Sequence, residues 1–164
     1  GQSAFGLAEN LGISRTEAKT IIDAYFEQFE GIKKYMNSTM AFAQDNGFVQ
    51  TIAGRKRWLA DINSGNQVVR GYAERNAINM PIQGTAADMI KLAMIAVHKA
   101  LKATTLQTKM ILQVHDELVF DVPRNEVDIV RPIIIREMEN AMVLPNGVPI
   151  KAESGVGDNW LEAH

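Results

Sequence analysis

The chain has 164 residues, of which 46% are hydrophobic and 22% charged; this composition is typical of a globular domain and excludes a mainly disordered chain. The formal net charge of −2 excludes a uniformly basic nucleic-acid-binding surface, although a local basic patch would still be compatible with DNA or RNA binding. The absence of cysteine excludes disulfides and thiolate metal sites and fits a reducing compartment, and no apolar run approaches the roughly 18 residues of a membrane span.

The N-terminal segment has neither a basic region nor a long apolar core, so it does not predict a signal peptide. It also lacks an initiator Met, and we expect the chain to be a piece of a longer protein. The spacing of Ser14-Arg15-Thr16-Glu17 is that of a capping box and predicts the start of a helix. Ile21, Tyr25 and Phe29 then recur every four residues, which predicts a buried aromatic stripe, and Gly31 is expected to break the helix.

A second helix is predicted from about Ile32 to Asn46-Gly47, a pair that commonly ends helices. Residues 48–52 predict a short strand that turns at Ala53-Gly54. Three cations and an aromatic residue follow, Arg55-Lys56-Arg57-Trp58. This stretch is either a solvated basic turn or a loop that contacts phosphate, and the pattern alone leaves both open.

A long helical pattern follows the polar, turn-rich residues 61–67, which favour an internal boundary. The pattern covers residues 68 to about 102, and Pro81 is expected to kink or end the helix because proline lacks a backbone donor. A fresh helix is predicted after Gly84, where Thr85-Ala86-Ala87-Asp88 again has the spacing of a capping box.

Three polar residues in this segment, Arg75, Asn79 and Gln83, are spaced four apart and would share one helix face. Their side chains are donors suited to base edges and to sugar–phosphate oxygens. A plain solvent-facing stripe is the alternative, but such stripes are usually rich in Glu and Lys, whereas this one contains no acid and two amides.

The stretch with the most chemistry is residues 109–122, in which two apolar runs flank His115-Asp116-Glu117. The runs have strand length, so the pattern predicts strand, tight turn and strand, with two carboxylates and an imidazole at the tip. Hard ions such as Mg²⁺ take carboxylate oxygens and then hold phosphates. The triplet is therefore either a phosphoryl-transfer metal site or a solvated acidic turn.

The remaining C-terminal residues predict a helix, a strand and a turn. The helix opens at Pro123-Arg124-Asn125-Glu126 and contains Pro132. Residues 147–155 alternate apolar and polar side chains and predict a last strand. Gly155 and Gly157 are then expected to form a turn that leads to Trp160, an aromatic anchor.

Several of these stretches together resemble family A DNA polymerases, the bacterial DNA polymerase I type. Residues 113–118 (QVHDEL) resemble the third signature motif of that family, and Arg75, Asn79 and Gln83 resemble the segment that precedes it. Residues 51–61 (TIAGRKRWLAD) and 155–161 (GVGDNWL) also match, in the family's order and spacing. The pair Glu30-Gly31 departs from it, since the family often has a proline there.

The resemblance implies an α+β fold in which helices pack on one side of a small antiparallel sheet made of the hairpin and the last strand. Residues 1–66 would be part of a mainly helical fingers subdomain, and residues 67–164 the C-terminal part of the palm. The family's first motif, an aspartate-bearing strand, and its basic finger helix are absent, and Gly1 would lie just past the end of that helix. The isolated piece is therefore expected to be inactive.

The resemblance also implies site roles in template-directed nucleotide addition by two Mg²⁺ ions. Asp116 would be the shared metal ligand and, with Glu117, a catalytic residue, Glu117 tuning the site. The DNA-contacting residues would be Gln113 and His115 at the primer end, Arg75, Asn79 and Gln83 in the minor groove, and Arg55, Lys56 and Arg57 at the DNA backbone.

The implied partners are primer-template DNA and deoxynucleoside triphosphates, with no membrane, for a parent enzyme of DNA replication and repair in the cytoplasm, associated with the nucleoid. Two alternatives remain. One is a metal-dependent nuclease or phosphotransferase that uses Asp116 and Glu117 alone; the other is a non-catalytic DNA-binding module in which the acidic hairpin is only a turn.

Overall fold

The computed structural model describes residues 3–163 and divides into two compact units, the first ending at Gly84 and the second beginning at Thr85. The predicted α+β class is confirmed, because helices dominate and the described strands form two separate two-stranded antiparallel sheets. The predicted place of Gly1, just past a finger helix, lies outside the described residues. No described helix is long and apolar enough to cross a membrane.

The elements follow in chain order. The first unit contains α1 (Ala4–Leu11), α2 (Arg15–Gln28), α3 (Glu30–Asn46), β1 (Phe48–Gln50) and β2 (Lys56–Trp58). Helix α4 (Gln67–Lys102) begins in the first unit and ends in the second. The second unit continues with β3 (Lys109–Val114), β4 (Glu117–Asp121), a 3-10 turn (Arg124–Glu126), α5 (Val127–Glu139), a 3-10 turn (Pro145–Gly147) and α6 (Trp160–Ala163).

The predicted starts and ends of the first helices are largely confirmed by their caps. Ser14 Oγ accepts from the Glu17 backbone N–H at 3.2 Å, and Glu17 Oε2 accepts from the Ser14 N–H at 2.9 Å, which completes the capping box of α2. Gly47 ends α3 in the left-handed conformation, with φ +75°. The break between α2 and α3 falls at Phe29, not at Gly31.

The prediction that the aromatic stripe of α2 is buried core is wrong. The side chains of Ile21, Tyr25 and Phe29 are each about half exposed, and Ala18 is the buried residue of α2. The core of the first unit instead joins α3, the first hairpin, the following loop and α4, through Ala43, Val49, Leu59, Ile62, Ala73, Ala77 and Met80. The four-residue spacing of these side chains does place them on one apolar face of α2. Spacing alone does not show whether another part of the chain packs on that face.

The predicted start of a fresh helix after Gly84 is wrong, because α4 is one helix of 36 residues with Pro81 inside it, and the proline does not end it. Thr85 and Asp88 lie within this helix, so they do not cap a fresh one. An internal proline costs about 3 kcal/mol or more. Around it α4 buries Ala77 and Met80 on one side of Pro81 and Ala93 and Val97 on the other, so tertiary packing offsets that cost.

The predicted last strand does not form in the described residues 147–155, and the hairpin sheet therefore has two strands. Side chains of α5 hold this segment instead. Arg131 donates to the Ser154 hydroxyl at 2.7 Å and to its carbonyl at 2.9 Å, and the Ala152 N–H donates to Glu139 Oε1 at 3.4 Å.

The C-terminal glycines permit a close approach of backbone segments. A Cβ at Gly157 would lie 2.6 Å from Cβ of Glu162. A residue larger than glycine would therefore displace the last helical turn, which explains the glycine at this position. Trp160, expected as an anchor, is 46% exposed.

Buried Glu126 ties the segment after α4 to the start of α5. Its carboxylate accepts hydrogen bonds from the Gln107 N–H at 2.9 and 3.1 Å, from the Thr108 N–H at 3.0 Å and from the Thr108 hydroxyl at 2.7 Å. These donors, the Gln107 amide first, hold the pKa of Glu126 below its usual value of 4.5. The ionised form is therefore the stabilising one.

Glu126→Gln is expected to lower the melting temperature at pH 7, because an amide NH2 would face donors where a carboxylate now accepts. The stabilisation by Glu126 is full above pH 4.5 and disappears as the pH falls through its lower folded-state pKa. The difference in melting temperature between the wild type and Glu126→Gln should accordingly be smaller at pH 3 than at pH 7. Glu153→Gln, at an exposed position, is the control; a Glu126 effect of equal size at both pH values would contradict the assignment.

Candidate metal-binding hairpin and nucleic-acid interface

The predicted strand, turn and strand around the acidic triplet are confirmed. Strands β3 and β4 pair antiparallel with Val114 opposite Glu117, so His115 and Asp116 form a two-residue turn. His115 has φ +52°, a left-handed conformation that costs a non-glycine residue roughly 1–2 kcal/mol. The Gln113 side-chain amide donates to the His115 carbonyl at 2.6 Å and helps to hold this turn.

The hairpin body anchors the turn only partly. Phe120 of β4 packs against the second unit's core of Val97, Leu101 and Val130, whereas Ile111 of β3 is 60% exposed. The register shifts between Met110 and Leu112, which marks a bulge at Ile111. The hairpin body is therefore only partly buried.

The turn presents its carboxylate to solvent. His115 and Asp116 are exposed, and Glu117 is half-buried at the first position of β4. Mg²⁺ is commonly held by one or two carboxylates together with substrate phosphates, so the oxygens of Asp116 fit the ion in kind. Among the described residues no three His, Asp or Glu side chains form a group that could hold a metal ion, so this hairpin offers only part of a coordination shell.

The polar row on α4 lies on the part of the helix that belongs to the first unit. Arg75, Asn79 and Gln83 are all exposed, while Ala73 and Ala77 are buried in the first unit's core. Because α4 is continuous through Pro81, the three side chains do share one helix and its i, i+4 spacing. The row is an exposed face whose donors are available to a ligand.

Residues 56–58 of the basic stretch form strand β2 and Arg55 closes the turn before it, so the cations differ in their surroundings. Lys56 Nζ lies 4.2 Å from the ring centroid of Phe48 and 5.9 Å from that of Trp58, a cation–π arrangement. Arg57 is exposed opposite Val49. Arg55 Nη2 donates to the Gly84 carbonyl at 3.0 Å, a contact that its sequence gave no reason to expect.

Comparison with known proteins gives one consistent result. The family model for DNA polymerase family A matches residues 1–162. DNA polymerase I of Caldicellulosiruptor bescii is 52% identical over 162 residues, covering 99% of this chain and 19% of its own, and DNA polymerase I of Streptococcus pneumoniae serotype 4 is 53% identical over 163 residues, covering 99% and 18%. The chain thus spans about a fifth of the length of these relatives.

A solved structure agrees with these relatives. The POL domain of Pol1 from M. smegmatis, in complex with DNA primer-template and dNTP, matches with a TM-score of 0.94 and 42% sequence identity, over 99% of this chain and 28% of that one. The α+β architecture is therefore that of a portion of a polymerase domain. The chain belongs to DNA polymerase family A.

Proposed function

We propose that this chain is the C-terminal part of the polymerase domain of a bacterial DNA polymerase I type enzyme, which adds deoxynucleotides to a primer 3′ end on a DNA template. The observation that carries the proposal is the exposed Asp116 carboxylate on a two-residue turn whose first residue, His115, is left-handed, in a chain that matches family A along nearly its whole length. Primer-template DNA and deoxynucleoside triphosphates would be its partners, in DNA replication and repair in the cytoplasm, near the nucleoid.

Asp116 would bind Mg²⁺ in this proposal, and the missing ligands would come from outside the chain. When bound, the ions would activate the primer hydroxyl and neutralise the charge of the triphosphate and the leaving pyrophosphate. Glu117, half-buried beside Asp116, would tune that carboxylate. His115 and Gln113 would face the primer end, with Gln113 also bracing the turn through the His115 carbonyl.

The row of Arg75, Asn79 and Gln83 would line the minor groove of the newly formed duplex. Every correct base pair presents acceptors at similar places in that groove, so guanidinium and amide donors can check pair geometry without reading sequence. A mispair moves those acceptors and leaves a donor unmatched. The subdomain assignment, fingers for residues 1–66 and palm for residues 67–164, belongs to the same proposal.

Gln83→Ala tests the minor-groove role in the polymerase that contains this chain. We expect the preference for extending matched over mismatched primer ends to fall by roughly two- to tenfold, the size of one net hydrogen bond. Single-nucleotide extension of matched and mismatched primers measures the ratio. Gln50→Ala, an exposed amide on β1, is the control, and an unchanged ratio in Gln83→Ala would argue against the role.

A further inference from the structure

The turn between β1 and β2 is stabilised by its own hydrogen bonds. Thr51 is 3% exposed; its hydroxyl accepts from the Arg55 N–H at 3.1 Å, and its N–H donates to the Arg55 carbonyl at 3.0 Å. The Gly54 N–H donates to the Thr51 carbonyl at 2.9 Å, with Gly54 at φ +82°. The turn is therefore a defined structure from which the Arg55 side chain extends.

This turn lies directly against the backbone of α4 at Gly84. Arg55 donates to the Gly84 carbonyl, and a Cβ at Gly84 would lie 2.7 Å from Cγ2 of Thr51 and 3.3 Å from Nη2 of Arg55. Any side chain larger than hydrogen would have to displace the Thr51 methyl group or the guanidinium. Glycine at position 84 is thus required by close packing, since α4 is helical there.

A second side chain holds α4 on the other side of Pro81. The Tyr35 hydroxyl donates to the Ile78 carbonyl at 3.0 Å. Pro81 cannot contribute a backbone donor to its own turn of helix. Two side-chain donors, from Tyr35 and Arg55, therefore bind helix carbonyls on either side of the residue that most weakens the helix.

We propose that Thr51 and Arg55 are positioning residues that fix α4 at Gly84 and thereby set how Asn79 and Gln83 are presented to the duplex. This inference rests on the proposed minor-groove role of those two amides. For Arg55, this positioning role replaces the DNA-backbone contact that was predicted from the sequence. For Arg57, the predicted contact with the DNA backbone is retained. Gln83 directly precedes Gly84, so loss of the contact would loosen the amide without touching it.

The test compares Arg55→Ala with Arg57→Ala in the polymerase that contains this chain. Arg55→Ala is expected to lower matched-over-mismatched extension by roughly two- to tenfold, as loss of one net hydrogen bond would, and to leave the salt dependence of DNA affinity unchanged. Arg57→Ala should do the reverse and reduce the slope of log K against log salt by about 0.9, the value for one phosphate contact. A reduced slope with unchanged discrimination in Arg55→Ala would overturn the proposal.

A rescue experiment addresses the packing at Gly84. Gly84→Ala should lower discrimination as Arg55→Ala does, and adding Thr51→Ser should restore it, because serine keeps the accepting hydroxyl and removes the methyl group that the new Cβ would strike. If Thr51→Ser leaves the defect of Gly84→Ala unchanged, the proposed contact does not position the helix. Should Gly84→Ala fail to fold, Arg55→Ala alone decides.

Amide hydrogen exchange of α4 separates this inference from the proposed function. Arg55→Ala should speed exchange at the amides around Gly84, whatever those residues bind. Faster exchange together with unchanged mismatch extension in Gln83→Ala would refute the minor-groove role and, with it, the functional part of the inference. A discrimination defect in Gln83→Ala with unchanged exchange and discrimination in Arg55→Ala would refute the positioning contact alone.

Discussion

Asp116→Asn in the polymerase that contains this chain is expected to slow nucleotide addition by about a thousandfold or more, with only a modest change in affinity for primer-template DNA. A metal that polarises phosphoryl oxygens contributes several kcal/mol to the transition state, and each 1.36 kcal/mol is tenfold in rate. Asparagine keeps the size of the side chain and removes its charge. In the proposed complex, DNA would be held mainly by other contacts, so its affinity should move little.

Single-turnover incorporation and DNA binding measured on the same preparations test this prediction. Asp121→Asn is the matched control, because Asp121 is an exposed aspartate at the far end of the same strand, β4. The control should retain the wild-type rate. An Asp116 variant that incorporates nucleotides at the wild-type rate would show that the acidic turn is only a turn.

The isolated 164-residue chain is expected not to extend a primer. Two-metal chemistry needs at least two suitably placed carboxylates, and the described residues offer no group of three metal-binding side chains around Asp116. Under the proposed function, the second metal-binding aspartate and the helix that grips the nucleotide would lie in parts of the longer polymerase outside this chain. The measurement is the length of a labelled primer after incubation with the purified chain, template, nucleotides and Mg²⁺.

The same reactions examine the alternative activity. A nuclease using Asp116 and Glu117 alone would shorten the labelled strand in the presence of Mg²⁺, and we expect no such shortening. An Asp116→Asn version of the chain reveals any contaminating polymerase or nuclease, since a contaminant would act in both preparations. Incorporation by the wild-type chain and not by this variant would contradict the expected inactivity.

Features set by neighbouring residues were predictable from the sequence. The capping box of Ser14 and Glu17 and the two-residue turn at His115-Asp116 each depend on residues within three or four positions. The shared face of Arg75, Asn79 and Gln83 required only that the helix exist. For the hairpin and this row, the sequence therefore identified the local geometry before any tertiary information was available.

Features set by distant residues were not predictable. Helix α4 continues through Pro81 because packing on both sides offsets the lost backbone bond. Residues 147–155 alternate like a strand but form none in the described structure, where side chains of α5 bind this segment. Arg55 meets Gly84 across 29 positions of sequence, and no local pattern signals that contact. The run of three cations at residues 55–57 predicted a positive charge but not the backbone carbonyl to which Arg55 donates.

Binding of Mn²⁺, a paramagnetic substitute for Mg²⁺, is the most direct test of whether Asp116 holds a catalytic metal. Electron paramagnetic resonance would count bound ions in the parent polymerase with a dideoxy-terminated primer, template and the next nucleotide. About two ions per wild-type complex are expected, as two-metal transfer requires, and Asp116→Asn should lose at least one of them. Equal occupancy and affinity in wild type and Asp116→Asn would contradict the metal-binding role.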